Sequence, residues 1–75
     1  MNYSSGERIQ IGDNVLIENG RTPGIVEQII ESEKDLEVWN VEEKGVLVLS
    51  KPFGAVFWPI GEKDDPAIFV SRRST

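Results

Sequence analysis

Apolar side chains fall along this chain in short runs, and their spacing changes character once. Across residues 14–18, Val15 and Ile17 alternate with Asn14, Leu16 and Glu18, as on a strand with one buried face. Ile25, Val26, Ile29 and Ile30 form a second, β-branched run within 24–30. Between the two, Asn19-Gly20-Arg21-Thr22-Pro23-Gly24 is a dense turn signal, because Gly and Asn accept left-handed backbone and Pro presets φ. Residues 46–49 then read as a buried strand, and residues 55–58, after the tight connection Lys51-Pro52-Phe53-Gly54, as its hairpin partner. A last short strand, 67–70, follows the polar loop 61–66. Short strands separated by turns predict a mainly β domain, a small barrel or sandwich.

The stretch 32–40 breaks this pattern. Ser32, followed three residues later by Asp35, approximates a capping box, and the acids there sit at the positive end of a helix dipole. A short helix is therefore expected between the second and third strands. Its apolar positions, Leu36 with Trp39 and Val38 with Val41, can dock it on a sheet but cannot hold it alone.

The two middle strands are apolar on both faces. Val46 and Val48 alternate with Leu47 and Leu49, and Val56 and Trp58 alternate with Phe57. One face must be the core. The other needs a cover, for which the candidates are the helix around Leu36 and Trp39, a second copy of the chain, or a different protein. The helix is the first expectation, since sheets normally bury a second apolar face within the domain. Outside the pattern, residues 1–8 read as a flexible lead-in, 9–71 as one domain and 72–75 as a frayed tail.

Composition narrows the chemistry. With 75 residues the chain is near the lower limit for an independent core, and it has neither cysteine nor histidine. Disulfide staples, thiolate metal sites and histidine-based triads are thereby excluded. Eight Lys and Arg against 13 Asp and Glu give a net charge of −5, which opposes approach to nucleic acid or anionic lipid and favours basic or neutral partners. No stretch approaches the roughly 20 apolar residues of a membrane helix, and the polar start lacks a signal-peptide run, so a cytoplasmic location is expected. No cofactor or metal is expected: no calcium-loop spacing occurs, and Asp64-Asp65 beside Glu62 reads as a polar turn before Pro66 rather than as acid–base chemistry.

The best local motif is Gly12-Asp13-x-Val15-x-Ile17-x-x-Gly20-x-x-x-Gly24-x-Val26. It resembles the KOW motif of ribosomal proteins and transcription elongation factors over about 15 of the 75 residues. The resemblance implies a five-stranded SH3-like barrel, with the glycines at positions of positive φ and the apolar residues facing inward. Its RNA-contacting members carry several basic residues in the loop between the glycines, where this chain has Arg21 alone.

Two functions compete, neither catalytic. Seven acids between Glu27 and Glu43, against the single Lys34, are the strongest charge feature. They suggest a protein-binding module, including a stoichiometric inhibitor or an immunity-type protein, that covers a basic partner with Glu27, Glu31, Glu33, Asp35 and Glu37 and an aromatic rim of Trp39 and Phe53. The resemblance to bacterial immunity proteins is one of size and acidity. The alternative is a KOW-like nucleic-acid or ribosome-associated module using Arg21, Lys44, Lys51, Arg72 and Arg73. Homodimerisation through the second apolar face is compatible with either.

Overall fold

The β-branched runs pair as their alternation requires. A computed structural model of the chain describes residues 1–50 and 54–72. Its elements are β1 (Asn14–Ile17), β2 (Thr22–Ile30), α1 (Glu33–Trp39), β3 (Gly45–Ser50), β4 (Gly54–Pro59) and β5 (Ile68–Ser71). All strand pairs are antiparallel, in the order β4-β3-β2-β1-β5. The expectation of a mainly β chain with a short helix between the second and third strands holds. No pairing among the described residues joins β4 to β5, so the sheet is open at both edges and closure into a barrel is not seen.

One face of this sheet carries the core. Val15, Ile17, Val26, Val46 and Val48 are buried there, with Trp58, Phe69 and Ile29 packed beside them. A bulge in β2 sets which residues reach it. Val26 lies opposite Val48 and Gln28 opposite Leu47, so Glu27 is the extra residue, and Ile29 opposite Val46 regains the core face. Ile30 therefore points the other way. It is fully buried outside the core cluster, at the end of the strand against which α1 packs.

The helix forms for the local reasons its sequence contains. The Ser32 side chain accepts from the Asp35 backbone N–H (3.1 Å), and the Asp35 carboxylate accepts from the Ser32 N–H (3.3 Å), which completes the capping box. Asn40 ends the helix in the left-handed region (φ 54°), where its N–H and that of Val41 satisfy the carbonyls of Glu37 and Leu36. No residue of the helix is fully buried, and Val38 is 69% exposed.

The core is covered instead by chain segments without regular structure. Residues 1–8, expected to be a flexible lead-in, turn back on themselves through an Asn2–Arg8 bridge and pack Tyr3, only 3% exposed, and Met1 onto the core beside Ile9. Ile60 and Ala67, from either end of the long loop after β4, close the rest. The physical reason is the placement of α1: it contacts β2 alone and adds no residue to the core cluster, so the inner face needs another lid. Arg72, assigned to the frayed tail, is likewise held by hydrogen bonds; residues 73–75 of that tail lie outside the described residues.

The motif glycines divide into two kinds. Gly12 (φ 96°) and Gly20 (φ 75°) have the positive φ that the motif implies. Gly24 does not: it is buried, and a Cβ there would overlap a methyl group of Val48 and lie 3.2 Å from the Leu49 carbonyl oxygen. Close approach of β2 to β3, not backbone conformation, requires that glycine. Gly24→Ala is expected to destabilise the fold by about 1–3 kcal/mol, the usual range for overpacking. Urea unfolding at neutral pH would measure it, and an unchanged midpoint would contradict the packing account.

Candidate protein-binding face

The face of the sheet opposite the core follows from the same alternation. Leu16, Ile25, Leu47, Leu49, Ile68 and Val70 occupy the positions between the core residues on their strands. Toward the Gly45 end of β3 this face is more closed: Leu47 is half-buried, and the Phe57 ring occupies the space that a side chain at Gly45 would need. Toward the other end of β3 it is open. Leu49 is 47% exposed and Val70 53% exposed. Together with Leu16, Pro23 and Ile25 they line a shallow apolar groove of about 460 Å³. Among the strands α1 contacts β2 alone, so the helix leaves the rest of this second face free.

A buried carboxylate holds the frame of this groove. Asp13, immediately before β1, is fully buried and receives the Tyr3 hydroxyl (2.6 Å), the Gln10 backbone N–H (2.9 Å) and the Arg72 Nε (2.9 Å). Arg72 also donates from Nη2 to the Arg8 carbonyl (2.6 Å) and lies over the Phe69 ring, 5.2 Å from its centroid. One carboxylate thus ties the N-terminal turn, the start of β1 and the end of β5, which carries Val70. Burial by itself would raise the Asp13 pKa, but the Arg72 guanidinium, the Tyr3 hydroxyl and the Gln10 N–H outweigh it and hold the carboxyl below its ordinary value. The Tyr3 phenol is pushed well above its ordinary value, first by burial and then by its bond to Asp13.

The sequence-expected site residues are placed as follows. Glu27 is exposed at the β2 bulge, beside Gln28, whose partner Leu47 lies on the groove face. Glu31, Glu33 and Glu37 are exposed between the end of β2 and α1, and Trp39 is 42% exposed at the end of the helix. Asp35 has a different task, since its carboxylate is engaged by the capping box, and that engagement lowers its pKa. Of the basic set, Arg21 and Lys44 are exposed, whereas Arg72 is committed to Asp13. Phe53, Lys51 and Arg73 lie outside the described residues. Asp65 accepts the Asn19 N–H (2.6 Å) and Glu62 accepts the Asp64 N–H (3.1 Å), which are loop-shaping contacts. Among the described residues no three acidic side chains gather as a metal site would need.

Sequence reasoning placed Asp13 only as a motif position and missed its network with Tyr3 and Arg72. The available signal was Gly12-Asp13 ahead of an alternating strand, a carboxylate where an apolar run begins. No family model, curated protein or solved structure matches this chain.

The network has a pH signature. Because the folded-state pKa of Asp13 is depressed, its contribution is fully present above the ordinary carboxylate value of about 3.9 and is lost as pH falls through the lower folded value. Asp13→Asn is expected to cost about 2–3 kcal/mol at pH 7, as for removing the charged acceptor from several buried donors. That difference should narrow below about pH 4. Denaturant titrations of both proteins across this range measure it, and a pH-independent difference would contradict the assignment.

Proposed function

We propose that this chain is a non-catalytic protein-binding module of SH3-like type that docks a basic partner on its outer sheet face. The observation that carries the reading is the missing cover: α1 contacts β2 alone and leaves Leu16, Ile25, Leu49 and Val70 around an open apolar groove. Burying an aliphatic side chain fully is worth roughly 1.5–3 kcal/mol, so a second protein seated there gains contact energy that the chain's own helix does not take.

Charge selects the partner. Glu27 is exposed two residues after the groove residue Ile25, and Glu31, Glu33 and Glu37 are exposed farther along, on a chain of net charge −5. A partner segment with apolar side chains flanked by Lys or Arg matches both features. The order β4-β3-β2-β1-β5 supports the SH3-like reading, because it brings the first and last strands together as that architecture does. A stoichiometric inhibitor or immunity-type protein belongs to this class. Nucleic-acid binding is the weaker reading: with Arg72 engaged by Asp13, Arg21 and Lys44 are the exposed cations left to it among the described residues of the basic set.

The reading is tested by affinity purification from the native host with three baits, the natural chain, Ile25→Ser/Leu49→Ser and Glu27→Lys/Glu31→Lys. All four positions are exposed, so each substitution should change stability by no more than about 0.5 kcal/mol. A basic protein held by the natural chain and lost, by tenfold or more, from both variants is the expected outcome. Equal recovery on all three baits, or recovery of RNA in place of protein, would overturn the outer face as the docking surface.

A further inference from the structure

A second cavity lies on the other side of the sheet. Val56 and Trp58 occupy the core-facing positions of β4, opposite Val48 and Val46. Between them and the β1–β2 turn is an open cavity of about 440 Å³ lined by Glu18, Asn19, Val56, Trp58 and Asp65. It therefore opens away from the apolar groove, and nothing in the binding-module reading uses it.

Its walls are tied together across the chain. The Trp58 indole N–H donates to the Asp65 carbonyl oxygen (2.8 Å), which fixes the ring against the 61–66 loop. The Asp65 Oδ1 in turn accepts the Asn19 N–H (2.6 Å), which fastens that loop to the β1–β2 turn, 46 residues away. Glu18 Oε1 accepts the Thr22 hydroxyl (3.1 Å). Each carboxylate thus spends one oxygen on the protein and keeps the other, and among the described residues neither has an ion-pair partner. The cavity combines an immobilised indole, an aliphatic floor at Val56 and two negative charges, with no cation in its lining.

We propose that this cavity receives the guanidinium group of an arginine side chain. A planar cation stacks on an aromatic ring through the ring quadrupole, and its fork of N–H donors suits carboxylate oxygens presented at the ring's edge. Lysine would keep the charge but lose the planar stacking and the fork. An inorganic cation would gain nothing from the indole and Val56. The proposal stands apart from the outer-face reading, because a small probe tests it without any protein partner.

The experiment is an NMR titration of the full chain with Nα-acetyl-arginine amide, followed at the two indole N–H resonances, with the uncharged Nα-acetyl-citrulline amide as the matched control. Trp58 should shift saturably with the arginine probe, and Trp39, on the helix, should serve as the silent reference. Glu18→Gln/Asp65→Asn keeps both oxygen acceptors while removing both charges, and should weaken binding by about tenfold or more. Saturable shifts of equal size with the citrulline probe would overturn the proposal. So would the absence of any saturable shift at Trp58, or undiminished affinity in the amide variant, and the control probe decides the matter even if that variant does not fold.

Discussion

A sheet that is apolar on both faces has to be covered twice, and this chain has material for little more than one cover. Five strands place Val15, Ile17, Val26, Val46 and Val48 on one side, and Leu16, Ile25, Leu47 and Leu49 on the other. The inner face is covered by the N-terminal segment and by the loop after β4. The outer face receives a seven-residue helix with no fully buried side chain. The outer-face docking proposal follows from that imbalance: the inner face has a cover of several segments, and the outer face has a helix that touches β2 alone.

The inner lid is irregular chain, and it depends on Asp13 to stay in place. An unpaired buried carboxylate would be expensive, but here a phenol, a backbone amide and a guanidinium all donate to it. The arrangement converts a polar residue at the start of β1 into the joint between the N-terminal turn and the last strand. It also pairs the exposed Arg72 with a buried carboxylate, which offsets its charge on a chain of net charge −5.

What could be read from the sequence is what local physics decides. The capping box of Ser32 and Asp35 is a four-residue pattern, and the helix follows from it; the alternation of Val15 and Ile17 places β1 for the same reason. The features that escaped are non-local. Tyr3 and Arg72 meet at Asp13 from 10 and 59 residues away, a contact that no spacing announces. The bulge at Glu27 shifts the phase of β2, so that Val26 and Ile29 share a face and Ile30 lands under the helix side. Gly24, taken from the motif as a positive-φ position, is instead required by the closeness of Val48. For the site, the acids at Glu27, Glu31, Glu33 and Glu37 were visible as a charge run. The groove of Leu16, Ile25, Leu49 and Val70 was visible only as the statement that some second face had to exist.

The most direct measurement of the central claim is site-specific photo-crosslinking in the native host, with a photoreactive residue placed at Leu49 in the groove and, separately, at Gln10, which is exposed on the N-terminal turn. The expected result is a discrete adduct from position 49 to a basic protein and none from position 10. An adduct from position 10 with none from position 49 would contradict the outer sheet face as the surface through which this chain acts.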